Sequence, residues 1–399
     1  IRTTAENDFA HDTMNRRLPR NIRNIVAAHG YSAEINDALE SLAASIQADA
    51  EIPPLGLPAW DWERWSAAWA RREGESWHDT DWFFGETYGF RLILEATRYF
   101  ETRIDPFGPV KEKELEAGSP FLPVARFFGE GGPGTLLEKG GLDGEGRRGV
   151  VEEALHLSMW GNKADISFVA GGELDHSAGE RELLLADHGG AAAEILAGAS
   201  RPVHVVMDNS GAELAGDLVL AYALTRLTDA PVLLHPKFYP TYVSDTTVED
   251  LRLFLSRAAG RDEPVRRFAA EVESALKAGR IYFAPDPYWC ETGFLNRMPE
   301  RVGRLFSNAS MVIVKGDFNY RRVMRDTIWE PGTPPAAAMG LDQGNEWAAL
   351  TAETPYLLLR TMKSDCLAGL DRETTDRLDR ESPEWRVDGK RGVIQLVGN

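Results

Sequence analysis

VHVVMDNSGAELAGDLVLAYALTRL, residues 203–227, runs from a β-branched apolar stretch, through the turn DNSG, into a long apolar stretch at helical spacing. Val203, Val205 and Val206 suit a pleated strand, and the leucines and alanines of 213–227 recur as on a helix. A strand that hands over to a helix within a few residues is half of a β-α-β unit. The turn itself is unusual in holding Asp208 and Asn209 side by side. Within a strand the two would point to opposite faces, but past its end they can converge. Gly211 permits the tight turn, and the first amides of the helix face the same region, suited to an anion. Ser210 and Glu213 read as an S-x-x-E capping box, which leaves Asp208 and Asn209 unexplained.

The same rhythm continues outward. PVLLHPKFY, RIYFAPD, SMVIVKGD, PYLLLRT and GVIQLV are further strand-like runs, and VEDLRLFLSRAA is helix-like. Alternation of this kind implies an α/β fold, a three-layer αβα Rossmann-like arrangement with a mainly parallel sheet. Residues 1–150 read instead as an α-helical cap domain, ahead of a catalytic αβα domain over 151–399. Trp60, Trp62, Trp65 and Trp69 sit at mixed helical spacings and are read as packing residues. GEGGPGTLLEKGGLDGEGRRG, 129–149, contains a formal G-x-G-x-x-G match, but Pro133 and polar flanks deny it the strand before and the helix after. It is expected to be a surface loop.

The chain has 399 residues, a formal net charge of -18 and two cysteines. That field disfavours nucleic acid and anionic membranes as partners. Two distant cysteines are neither a disulfide framework nor a zinc spacing and fit a reducing compartment. IRTTAENDFAHD has no apolar signal core, and no stretch could span a bilayer, so a cytoplasmic location is expected.

Four strand ends carry the chemistry. After Asp208 and Asn209 comes YPTYVSDTT, with Asp245 before a helix start; its plain alternative is an N-cap. SMVIV ends in KGDFNYRR, and YLLLRTMK ends with Arg360 and Lys363. Two carboxylates and a carboxamide are hard oxygen donors that suit Mg²⁺ or Mn²⁺ and disfavour structural zinc. Lys and Arg beside them would hold phosphate oxygens.

Taken in order, MWGNKADISF, MDNSGAEL, YVSDTT, KGDFNYR and RTMK resemble the damage-control phosphatase family, and the R-T-x-K signature resembles its third subfamily. That subfamily includes sugar-phosphate phosphatases also described as methyltransferases of acidic residues. The resemblance covers most of the chain. It implies Asp208, Asn209 and Asp245 as metal ligands, and Asp317, Asn319, Tyr320 and Arg321 as a substrate-binding segment. It places Lys363 at the phosphate and Glu213 near the substrate. Asn162, Lys163 and Asp165 are expected to line or brace the site. The expected ion is Mn²⁺ or Mg²⁺, with Co²⁺ or Ni²⁺ as substitutes in vitro.

The activity so implied is metal-dependent hydrolysis of small phosphorylated metabolites such as fructose phosphates. Asp208, Asp245, Asp317 and Lys363 would carry it, with either metal-activated water or Asp208 as nucleophile. S-adenosylmethionine-dependent methylation of protein carboxylates is the alternative, although no glycine-rich cofactor loop follows a first strand. A non-catalytic phosphometabolite-binding protein is the third reading. A haloacid-dehalogenase-like site needs a second Asp at position 210, which is Ser, and no P-loop run occurs. Residues 327–354, rich in Pro, Ala and Gly, read as a lid over the site or a long loop. Protein partners and oligomeric state are not encoded in any of these motifs.

Overall fold

The computed structural model describes residues 1–129, 131–161, 181–341, 351 and 353–398. Its strands are β1 (Leu184–Asp187), β2 (Val203–Val206), β3 (Val232–His235), β4 (Ile281–Phe283), β5 (Met311–Lys315), β6 (Tyr356–Thr361) and β7 (Gly392–Val397). They form one seven-stranded sheet in the order β1-β7-β6-β5-β2-β3-β4. From β6 to β4 every neighbouring pair is parallel; β7 lies antiparallel on β6, and β1 parallel on β7. The chain winds from β2 outward through β3 and β4, then returns to place β5 and β6 on the other side of β2. The crevice beyond the carboxyl ends of β2 and β5 is therefore a topological switch point, where α/β folds bind ligands.

Side-chain alternation builds a core on each face of the sheet. Val203, Val205, Met311, Ile313, Leu357 and Leu359 pack with the Ala212–Leu227 helix on one face. Val206, Val312, Val314, Tyr356 and Leu358 pack with Trp385 on the other. Burial on both sides explains why these strands read as continuous apolar runs. Each such side chain contributes about 1.5–3 kcal/mol on removal from water.

Helices occupy the chain up to Trp160, as expected. Those before Phe107 share a core of their own, including Met14, Leu18, Trp65, Phe84 and Tyr88. From Leu115 onward the helices pack on the sheet instead, through Phe121, Val124, Phe127 and Leu155. The Trp82–Ala96 helix joins the two regions, since Phe83 stacks on Phe318 with ring centroids 4.9 Å apart.

Two expectations need correction. The glycine-rich segment is mostly helical: Pro133 opens the Pro133–Lys139 helix, and Asp143 caps the Gly144–Trp160 helix by accepting from the Gly146 amide at 2.8 Å. Proline at a first helical turn and an Asp N-cap outweigh the glycine content there. The tryptophans also divide, for Trp65 is buried and Trp69 half-buried, while Trp60 and Trp62 are 46% and 40% exposed. In 327–341 the short Pro335–Met339 helix buries Ala338 and Met339 in the second sheet core. Residues 342–350 and 352 of the expected lid lie outside the described residues.

Candidate active site

Strand register sets the site. Val206 is level with Val314 of β5 and with His235 of β3. Just past these ends the chain continues to Asp208, Gly316 and Lys237, and Thr246 bridges the Asp208 and Lys237 backbones. The loop after β3 then folds back over β2. The Thr246 amide donates to the Asp208 carbonyl at 2.7 Å, the Ser210 amide to the Ser244 carbonyl at 2.7 Å, and Asn209 and Asp245 form an isolated antiparallel bridge. Backbone bonding thus brings Asp208, Asn209 and Asp245 together.

The loop that carries Asp245 is strained. Tyr242 and Val243 have φ of 50° and 59°, and a β-branched residue in the left-handed region is unfavourable. Packing holds it there. The Tyr242 hydroxyl lies 2.7 Å from that of Thr87, and its ring stacks on Phe90 and leans on Phe318. The Trp82–Ala96 helix therefore helps to fix a site residue far away in sequence.

The carboxylates of Asp208, Asp245 and Glu213 are buried. The Asn209 amide nitrogen donates to Asp208 Oδ2 at 2.9 Å and Glu213 Oε1 at 3.0 Å, and its oxygen accepts from Ser244 Oγ at 2.7 Å. Asp208 Oδ1 is buried with no hydrogen-bond partner among the described residues. Burial, reinforced by Asp245 and Glu213, pushes the Asp208 carboxyl well above the usual range. Burial also pushes Asp245 up to about 6, against the opposing pull of Lys237 at 3.2 Å. An orphaned oxygen among crowded carboxylates is the environment a cation would relieve.

A second buried pair lies behind this group: Lys315 Nζ is 2.7 Å from Asp217 Oδ1, which also accepts from Ser158 Oγ at 2.6 Å. In formal charges, five buried carboxylates (Asp208, Glu213, Asp217, Asp245 and Asp250) against the three ammonium groups of Lys111, Lys237 and Lys315 leave two negative charges, the complement of one divalent ion. Among the described residues, no three His, Cys, Asp or Glu side chains form a ready metal cluster. The fitting donor set is two aspartates with the Asn209 carboxamide oxygen, all hard donors.

The capping readings are corrected here. Gly211, at φ 70° and ψ -133°, holds the N-cap position without a side-chain cap, and Ser210 Oγ is buried without a hydrogen-bond partner among the described residues. Glu213 faces Asn209 instead, because Gly211 turns Ser210 away from the helix end. Nor is Asp245 the cap of its helix: Thr247 and Asp250 make that capping box.

The KGDFNYRR segment divides. Asp317 Oδ1 accepts from Arg360 Nε at 2.8 Å, Ser364 Oγ at 3.1 Å and the Lys363 amide at 3.2 Å, so it anchors the RTMK loop. Lys363 is exposed, and its charge acts on Asp208. Asn319 is fully buried and braces strand ends, donating to the Met207 and Lys315 carbonyls at 3.0 and 2.9 Å. Tyr320 lies in the second sheet core with its hydroxyl on Gln395 at 2.9 Å. Arg321 pairs with Asp326 and Glu86 at 2.8 and 2.9 Å under the Trp82 ring. Asn319, Tyr320 and Arg321 are thus engaged by protein groups and are not brought to the carboxylates as free donors. Asn162, Lys163 and Asp165 lie outside the described residues.

Sequence reasoning missed Lys237 and Lys111. Lys237 stands in the quoted strand end HPK and was legible by register. Lys111 Nζ donates to the Asp245 carbonyl at 3.0 Å and pairs with Asp250 at 2.8 Å, a link no local pattern announces.

Residues 9–378 match a family model described as the damage-control phosphatase ARMT1-like domain. Relatives named damage-control phosphatase ARMT1 include those of Danio rerio, 24% identical over 98% of this chain and 95% of that protein. The Xenopus tropicalis protein is 26% identical over 98% and 97%, and the Homo sapiens protein 25% over 98% and 96%. A solved DUF89 family protein from Pyrococcus horikoshii aligns at a TM-score of 0.48 and 15% identity, covering 97% of this chain and 96% of that one.

Proposed function

This chain belongs to the family of the damage-control phosphatase ARMT1-like domain, and on that premise we propose that the carboxylate group at β2 and β3 serves a divalent-cation-dependent phosphatase of small phosphorylated metabolites, sugar phosphates among them. The observation that carries the reading is the buried Asp208 Oδ1, without a hydrogen-bond partner among the described residues, beside Asn209, Glu213 and Asp245. Asp208, Asn209 and Asp245 would hold the ion, Mn²⁺ or Mg²⁺ by donor type. Such an ion neutralises phosphoryl oxygens and makes water a nucleophile near neutral pH.

The protein groups divide the remaining work. Lys363, exposed and with its charge felt at Asp208, would meet the phosphate from the solvent side and offset charge that grows in the transition state. Arg360 and Asp317 set the loop that carries it. Glu213 and Asp208 hold the Asn209 amide by its nitrogen while its oxygen accepts from Ser244 Oγ, so a cation at Asp208 would be met by that oxygen only after the amide turns over. With Asp208 engaged as a ligand, in-line attack falls to water rather than to that carboxylate. Methylation of protein carboxylates has no structural observation of its own in support.

Phosphate release from an aryl phosphate and a panel of hexose and fructose phosphates, with and without chelator, tests the reading. Turnover that depends on an added divalent ion is expected. Turnover indifferent to chelation and to loss of Asp208 would overturn it.

A further inference from the structure

Lys237 is fully buried among groups of the candidate metal site, yet no motif assigns it a task. Its ammonium lies 3.2 Å from Asp245 Oδ2 and 3.3 Å from Asn319 Oδ1, and 4.6 Å from the Phe318 ring centroid. Asn319 cannot turn its oxygen elsewhere, because its amide nitrogen already donates to the Met207 and Lys315 carbonyls. Two oxygens and an aromatic face thus surround one point, which the ammonium fills by a hydrogen bond to Asn319 Oδ1 and an ion pair, without a hydrogen bond, to Asp245 Oδ2. Phosphoryl-transfer sites with two metals share a carboxylate between ions about 3.5–4 Å apart. Here the outer oxygen of Asp245 faces an ammonium.

We propose that Lys237 is a fixed second cation, which takes the place a second metal ion would occupy and limits the site to one divalent ion. The inference rests on the metal reading above. It explains why a lysine is buried here at all, since an ammonium without this cage would be costly to desolvate. It also fits the formal charge count: with Lys111, Lys237 and Lys315 present, one divalent ion neutralises the buried carboxylates, whereas a second would leave a positive excess.

The test is a Mn²⁺ titration of the full chain, read by calorimetry and by the electron paramagnetic resonance of free Mn²⁺. Wild type should bind one ion per chain. Lys237→Ala, which empties the ammonium's place, should bind two. Lys237→Met, which fills the volume without charge, should bind one ion at least about tenfold more tightly, because a repelling charge has gone. Two ions in wild type would overturn the inference. So would weaker single-ion binding in both variants, since Lys237 would then only brace Asp245. No Mn²⁺ binding by wild type would sink the metal reading itself, and the two failures are therefore distinguishable. Melting curves of the metal-free proteins identify a variant that does not fold, and Lys237→Met keeps the packing if Lys237→Ala fails.

Discussion

Gly316 lies directly against the carboxylate of Asp208, so close that a Cβ on Gly316 would fall within it. The glycine also adopts φ +83°, a conformation that L side chains rarely adopt. β2 and β5 can therefore bring their ends together at Asp208 only with glycine at this position. Gly316→Ala is expected to displace Asp208 and to lower kcat/KM by about a hundredfold or more, given how sharply catalysis depends on placement. Mn²⁺ affinity measured alongside should fall too; unchanged affinity would contradict the placement.

The strained Tyr242–Val243 turn gives a prediction of opposite sign for stability and function. Val243→Gly should raise the unfolding free energy of the metal-free protein by a few tenths to about 1 kcal/mol, by relieving the left-handed conformation. A loosened Asp245 should bind Mn²⁺ more weakly. Thermal melts and a metal titration on the same sample check both halves.

The raised carboxyls set a pH dependence. Burial pushes the Asp245 carboxyl up to about 6 in the folded chain, and burial with Asp245 and Glu213 also raises Asp208 well above its ordinary value. The folded state therefore binds protons more tightly than the unfolded state, so this contribution to stability is full below about pH 4 and fades as pH rises through 6. A divalent ion held by Asp208, Asn209 and Asp245, as proposed, would replace those protons. The rise in melting temperature on adding Mn²⁺ should accordingly be larger at pH 7.5 than at pH 5; an equal rise at both would contradict the assignment.

Much of the layout was legible because it follows periodicity. β2 through β7 stand where their apolar runs predicted, and the helical region precedes them. β1 was missed because Leu184–Asp187 is built from Leu and Ala, residues that favour helices. Asp208, Asn209 and Asp245 were legible as acids and an amide where strands stop. The roles of Ser210, Glu213 and Asn319 were not, because they depend on Gly211 turning the chain and on which carbonyls come near. Lys111 was beyond reach, since its contact with the Asp245 loop spans the fold.

Tyr320 and Lys363 separate packing from function. Tyr320→Phe removes a buried hydrogen bond to Gln395 and should cost about 1 kcal/mol of stability while leaving KM unchanged. Lys363→Met, at an exposed position, should leave the melting temperature within about a degree and lower kcat/KM by about tenfold to a hundredfold. A KM effect confined to Tyr320 would reverse this assignment.

The most direct test is phosphate release from a fructose phosphate by wild type and Asp208→Asn, each stripped by chelation and then supplied with Mn²⁺. Wild type should lose turnover on stripping and regain it with Mn²⁺, while Asp208→Asn stays inactive throughout although folded. Turnover that survives stripping, or an Asp208→Asn protein as active as wild type, would contradict the account.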